Sequence, residues 1–231
     1  MTSFHRIGAA IVVLSILTTG CAEDDPYQKT KIGAAIGALV GAGAGAAIDK
    51  NNRARGAAIG GAVGILAGGG VGLYMDKQKK AIEEKLAKEL KSHDVELKKL
   101  PDNTIQVDLK SEASFASNST DVKASFSEAL TKLGGVIAEY NSTAVHVIGH
   151  TDSQGSTSYN QQLSQSRASA VASKLIGSGV DTQRVMTEGR GENQPKSSNA
   201  TAEGRSQNRR VEIYLKPVVE GQEQAAFAPP Q

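Results

Sequence analysis

At 231 residues and 39 % hydrophobic content, the chain is long enough for one medium domain with a core and something more. A net charge of +2 is too small to argue for nucleic acid, and a single cysteine excludes an intramolecular disulfide. The anomaly is 25 glycines, most of them before residue 73, with no tryptophan and few other aromatics. Met1 to Gly20 opens the chain with Arg6 in a short n-region, an apolar run from Ile7 to Leu17 and small residues before Cys21. That order reads as a secretory signal and not as a membrane span.

The lone Cys21 stands at the cleavage point, and the segment resembles a bacterial lipoprotein signal, with Thr18 where leucine is typical. The resemblance implies a lipid-modified Cys21, carrying palmitate-type chains, as the first residue of the mature chain. Ala22 in place of an inner-membrane retention aspartate points to the outer membrane. Without the resemblance, a plain secreted protein is the other reading. A polar tether, Ala22 to Lys31, follows.

Two apolar Gly-rich blocks come next, Ile32 to Ile48 and Gly56 to Met75, joined by DKNNRAR. Glycine recurs every fourth residue, at Gly33, Gly37, Gly41 and Gly45 and again at Gly56, Gly60, Gly64, Gly68 and Gly72. If helical, each block shows a smooth stripe that lets another helix approach closely in lipid, within one chain or in a homo-oligomer through the Gly33–Gly72 region. In water so much glycine would cost about 1 kcal/mol per residue against alanine. A flexible linker would not hold the period. GAGAGA from Gly41 imitates a dinucleotide fingerprint, but no strand precedes it.

Asp76 to Lys91 is rich in Lys, Glu, Ala and Leu and is expected to be a charged connecting helix of roughly 24 Å, with its basic residues near the membrane surface. Val95 to Leu109 alternates around Pro101-Asp102-Asn103, a hairpin pattern with Ile105, Val107 and Leu109 on one face. Val122, Phe126, Leu130, Leu133 and Ile137 form a helical stripe that Ser119 or Thr120 could cap, its last turns weakened by Gly134 and Gly135. Ala144 to Ile148 suits a strand buried on both faces, and Ser158 to Leu175 a helix with Leu163, Ala170, Val171 and Leu175 on its inner side. Arg184 to Glu188 and Val211 to Leu215 read as two more strands. The alternation predicts an α/β fold with two crossovers and helices on one face of the sheet. Pro217 to Gln231, with two prolines beyond it and no period, reads as a disordered tail.

Between the central strand and its helix lies GHTDSQGSTSYNQQLSQSRASAV, Gly149 to Val171. Asp152 sits past the carboxyl end of the strand, where open α/β sheets tend to bind ligands. Arg167 falls on the inward row of the helix, where a partly buried guanidinium needs a carboxylate. Two partners fit: Asp152 itself, in an internal ion pair, or a zwitterionic ligand whose carboxylate meets Arg167 and whose ammonium meets Asp152.

GHTDSQGSTSYNQQLSQSRA, followed by GRGENQP and EGRSQNRRVEI, resembles the OmpA-like peptidoglycan-binding domain over roughly Val95 to Lys216. The resemblance implies a βαβαβ sandwich with helices packed on a mixed sheet, and a binding site in which Asp152 and Arg167 grip the diaminopimelate of the peptidoglycan stem peptide. By the same resemblance Thr151, Gly155 and Asn160 belong to the binding turn and helix base, Leu163 to the core, and Phe115 to a loop beside the ligand in which Ala116 replaces the common Asp. Arg205, Asn208, Arg209 and Arg210 read as a solvated or structural cluster, or as the source of one further ligand contact.

The whole layout resembles the glycine-zipper outer-membrane lipoproteins. It divides into a signal (1–20), a tether (21–31), a glycine-zipper hairpin (32–75), a linker helix (76–94), the binding domain (95–216) and a tail (217–231). His146, His150 and Asp152 complete no metal cluster, and no GxSxG elbow accompanies them, so no metal, cofactor or catalytic residue is expected. The expected function is a tether between outer-membrane lipid and peptidoglycan, with the domain in the periplasm. A membrane assembly or pore built on the Gly hairpin is the alternative.

Overall fold

The computed structural model describes Leu66 and residues 70–116 and 119–230. The signal, Cys21, the tether and nearly all of the two Gly-rich blocks lie outside the described residues. Among those described, no helix is long and apolar enough to cross a membrane.

Five strands form one mixed sheet: β1 (Val95–Lys99), β2 (Ile105–Lys110), β3 (Thr143–Gly149), β4 (Val185–Gly189) and β5 (Arg210–Pro217), in the order β1-β2-β5-β3-β4. β1 and β2 make the expected hairpin, closed by Asp102, which accepts from the Thr104 backbone N–H (3.0 Å) and hydroxyl (2.9 Å), with Asn103 at φ 66°. β5 lies antiparallel to both β2 and β3, and β3 lies parallel to β4. β2 and β3 are therefore parallel across β5, which gives the two expected crossovers. The first carries the short helix α3 (Ser111–Ser114) and then α4 (Ala124–Glu139), and the second carries α5 (Thr157–Gly177).

Alternation along the strands divides the two faces. Ile105, Val107, Leu109, Val145, Val147, Val211, Ile213 and Leu215 join Leu130, Leu133 and Ile137 of α4 and Val171 and Leu175 of α5 in the main core. The opposite face bears Asp108, His146, Glu212 and Tyr214, also buried. Gly134 strengthens the packing of α4 where weakness was expected, since a Cβ there would stand 2.6 Å from Ser178 Cβ. The expected cap is replaced: α4 begins after Lys123 with no side-chain cap, and Ser119 Oγ instead accepts from the Asp121 N–H (2.9 Å) in the preceding loop.

The amino-terminal boundary lies earlier than the sequence suggested. Helix α1 (Val71–Lys85) and its continuation α2 (Ala87–Lys91) are not a free connecting rod: Met75, Gln78, Ile82 and Leu86 recur at helical spacing and are buried against the domain. The Ser142 N–H donates to the Tyr74 hydroxyl (2.9 Å), and the Tyr74 ring meets Tyr140 edge-on at 5.4 Å. The last residues of the second Gly-rich block, Val71 to Met75, thus belong to the folded domain. A fragment of residues 71–231 should accordingly melt at least about 10 °C above one of residues 95–231, because the shorter one exposes the surface that Met75, Ile82 and Leu86 cover. Equal melting temperatures would show that α1 is an appendage.

The tail is ordered as well. Helix α7 (Glu223–Phe227), preceded in the chain by α6 (Ala202–Asn208), lays Ala226 against Ala144 and Val218 on the second face of the sheet. Polar groups of that face satisfy the tail's carbonyls: His146 Nε2 lies 2.7 Å from Ala226 O, Lys216 Nζ donates to Ala228 O (2.8 Å) and an Arg190 Nη to Pro230 O (2.6 Å). Leu66 pairs with the start of this segment through Leu66 N–H to Val218 O (2.8 Å) and Glu220 N–H to Leu66 O (3.0 Å). Expecting helices on one face alone missed α7, whose few apolar residues carry no period of their own.

Candidate functional site

The site forms where β3 hands over to α5. Gly149 and Gly189 are register partners at the ends of β3 and β4, and α5 rests directly on them. A Cβ at Gly149 would stand 2.0 Å from Ser164 O, and one at Gly189 2.5 Å from Gln165 N. Only glycine at both positions lets the helix come this close, and this approach carries Leu163 and Arg167 to the rim of the turn. The turn itself is fixed by its own side chains. The Thr151 N–H donates to Gly191 O (2.9 Å), Asp152 Oδ1 accepts from the Gln154 N–H (3.0 Å), Gly155 takes φ +102°, and Ser156 caps α5 by accepting from the Tyr159 N–H (3.2 Å).

A cleft of about 380 Å³ opens there, with Thr151, Asp152, Leu163, Arg167, Phe115 and Arg209 among its lining residues. Asp152 is 6 % exposed and Arg167 5 %. They do not form the internal pair. Arg209 Nη1 bonds Asp152 Oδ2 at 2.5 Å, while Arg209 Nη2 bonds the Glu112 carboxylate, so one guanidinium bridges two acids. That bridging hydrogen bond holds the Glu112 carboxyl below its ordinary range. Two carboxylates on one guanidinium leave the bridge with one negative charge in excess.

Arg167 is held differently. Its Nε donates to Ser119 O (3.1 Å), and its guanidinium carbon lies 5.2 Å from the centroid of the Phe115 ring. Burial draws its pKa down, opposed by the Tyr159 hydroxyl and the Asp152 carboxylate and assisted by Arg209, yet an arginine stays cationic at neutral pH. Among the described residues no carboxylate lies within 4.0 Å of it. Thr151 Oγ1 is buried with no hydrogen-bond partner and lines the same cleft. The cleft therefore presents to one space a cation with no carboxylate in hydrogen-bonding reach and a bridge with an excess negative charge.

The other expected site residues fall into place unevenly. Phe115 lines the cleft and supports Arg167, and exposed Ala116 offers no polar contact. Asn160 lines it too, but its Nδ2 donates to Glu192 Oε2 (2.5 Å), tying α5 to the loop after β4. Gly155 shapes the turn without lining the cleft. Leu163 is half-buried in the cleft wall, not in the core, because the inward row of α5 runs through Asn160, Ser164, Arg167, Ala168 and Val171. Of the arginine cluster, Arg209 reaches the site, whereas Arg210 bonds Glu212, and Asn208 accepts from the N–H groups of Lys196 and Ser197. Glu112, Lys123, Gln154 and Tyr159 line the cleft without having been singled out. Gln154 and Tyr159 stand in the turn and the first turn of α5, within reach of local reading, whereas Glu112 and Lys123 follow β2 and meet the turn only in the fold.

His146 and His150 point away from Asp152, to Ala226 O and to Glu212 Oε2 (3.2 Å). Glu212 also accepts from Arg210 Nε (2.8 Å) and the Tyr214 hydroxyl (2.8 Å). Burial would raise its carboxyl, but the His150 hydrogen bond and the Arg210 charge outweigh it and hold the pKa at about 2, against an ordinary 4.5. A depressed carboxyl stabilises the fold fully above its unfolded value and loses that contribution as pH falls through the folded one. Acid titration should therefore destabilise the protein between pH 4.5 and 2, by on the order of 3 kcal/mol from Glu212 alone. Glu212→Gln should flatten the pH dependence of denaturant midpoints in that window, and an unchanged slope would remove Glu212 from the account.

Comparison with known proteins gives three kinds of match. The profile of the OmpA family matches residues 114–209, and that of the YMGG-like Gly-zipper matches residues 1–76. The chain is 44 % identical over 217 residues to the probable lipoprotein YiaD of Escherichia coli (strain K12), covering 91 % of this chain and 96 % of that one. It is 32 % identical over 116 residues to the outer-membrane lipoprotein YfiB of Pseudomonas aeruginosa, 50 % of this chain and 69 % of that one. Among solved structures, the cell wall anchor of the T6SS from Pseudomonas aeruginosa superposes with a TM-score of 0.54 at 32 % identity, covering 59 % of this chain and 96 % of that one.

Proposed function

This chain belongs to the OmpA family, carried behind a YMGG-like Gly-zipper segment, and from that premise we propose that it is a non-catalytic outer-membrane lipoprotein that tethers the membrane to peptidoglycan. The observation that carries the reading is the division of charge in the cleft: Arg167 without a carboxylate on one side, the Asp152–Arg209–Glu112 bridge with an excess negative charge on the other. A zwitterionic amino-acid centre satisfies both. The diaminopimelate of the stem peptide carries such a centre at the free end of its side chain, with its carboxylate set against Arg167 and its ammonium against Asp152. Lysine at the same place in the stem lacks the carboxylate and leaves Arg167 unanswered. Sedimentation with purified diaminopimelate-type and lysine-type murein in parallel tests the reading: the first should carry the protein down and the second should not. Equal sedimentation with both would remove the zwitterion from the account.

Cys21 is proposed as the acylated anchor, since two or more acyl chains hold a protein stably at a membrane where one does not. YiaD and YfiB, the relatives named above, are both called lipoproteins. Mass spectrometry of the mature amino terminus decides it, and an unmodified terminus at another residue would sink it. The match of residues 1–76 to the Gly-zipper family favours the Gly33–Gly72 region as a packing surface between helices, within a chain or between copies. Gly60→Leu with Gly64→Leu should then reduce crosslinking in membranes and spare murein binding. The reverse pattern would mark the segment as a linker.

A further inference from the structure

We propose that Lys123 forms a second anion subsite in this cleft, so that the ligand is recognised as a zwitterionic centre together with one further carboxylate. The inference rests on the peptidoglycan reading above and adds to it a neighbouring part of the same ligand. Five charged side chains line the cleft: Glu112, Lys123, Asp152, Arg167 and Arg209. Arg209 and the two acids sum to one negative charge, which one ligand ammonium answers. Arg167 and Lys123 remain, and they call for two carboxylates.

Lys123 is placed to take the second. It is half-buried at the start of α4, and its Nζ donates to Glu112 O at 2.5 Å, which fixes the ammonium at the cleft and uses one of its three donors. The Glu112 side chain is turned away, to Arg209 and to the Ser206 hydroxyl, and no carboxylate among the described residues lies within 4.0 Å of Lys123 Nζ. The first turn of α4 behind it has neither a capping side chain nor an acidic residue, so its backbone donors add to the positive potential. Thr151, whose buried hydroxyl has no hydrogen-bond partner within the protein, is among the residues lining the same cleft. In a stem peptide the residue preceding diaminopimelate is a γ-linked glutamate, whose α-carboxyl is free or amidated. The subsite would distinguish those two forms.

The test uses calorimetry of the full chain in detergent with two synthetic fragments, N-acetyl-γ-D-glutamyl-meso-diaminopimelate with its backbone carboxyl blocked as an amide, as in the stem, and the same compound with the glutamate α-carboxyl amidated. The wild-type chain should bind the acid about fivefold tighter than the amide, the size of a rim charge pair. Lys123→Gln should bring the two affinities together, Lys123→Arg should keep the preference, and Arg167→Ala should weaken both fragments by about tenfold or more. A preference that survives in Lys123→Gln, or its absence in the wild type, overturns the inference and leaves the peptidoglycan reading standing. Failure of the wild-type chain to bind either fragment overturns both.

Discussion

Arg167→Ala is expected to weaken binding to diaminopimelate-type murein by roughly tenfold to more than a hundredfold, the cost of one charge-assisted hydrogen-bonded contact of about 1.5 to 3 kcal/mol. The guanidinium is nearly buried, seated on Phe115 and pinned through Nε to Ser119 O, so its orientation is settled before a ligand arrives. Preorganisation of this kind spares the ordering cost that a surface arginine would bear on binding. Arg167→Lys should fall between the two, because a lysine keeps the charge but not the planar fork. Melting curves of each variant separate lost binding from lost folding. Should Arg167→Ala, still folded, sediment with murein as the parent does, the cleft is not the binding site.

A loss of about 3 to 5 kcal/mol is expected for Arg184→Met, the largest effect on stability for one side chain, since each buried carbonyl that loses its donor costs about 1 to 3 kcal/mol. Arg184 is 1 % exposed and lies just before β4, in the turn Thr182–Arg184. Its Nε donates to Thr143 O (2.8 Å), Nη1 to Ile137 O (3.0 Å) and Nη2 to Tyr140 O (2.8 Å) and Thr143 Oγ1 (2.9 Å). One side chain thus satisfies the carbonyls at the carboxyl end of α4 and joins them to the first residue of β3. A cation is favourable at that helix end, and burial draws its pKa down only to about 10, so it stays charged at neutral pH. Methionine fills similar space yet takes the Arg184 donors from the Ile137 and Thr143 carbonyls and leaves Tyr140 O only the 3.3 Å bond from the Thr143 hydroxyl. For a domain of this size the melting temperature should fall by roughly 10 °C or more. A fall of a degree or two would mean that water enters and takes over those bonds.

The order of strands and helices was legible because the strands alternate with period two and α4 and α5 with a period near 3.6, both set by one buried face. The turn at Asp152 was legible too, since the chemistry of Gly149, Asp152, Gly155 and Ser156 is local. Misreadings occurred where one residue answers to a distant one. Asp76 to Lys91 looks solvated by composition, and only the fold shows Met75, Gln78, Ile82 and Leu86 meeting the core. The tail has too few apolar residues to signal order, and it is held by donors from three strands of the sheet or their ends.

By itself, then, the sequence determined the fold class, the position of the turn at Asp152 and the identity of two charges that line the cleft, because backbone periodicity and turn chemistry act over a few residues. The tertiary structure decided which charge meets which. Asp152 is paired with Arg209, 57 residues away, and Glu112 meets Arg209 across 97. Coulombic pairing depends on distance in space, and that distance was set by the paired glycines Gly149 and Gly189, on which α5 lies, and by β5, which carries Arg209 in beside the turn.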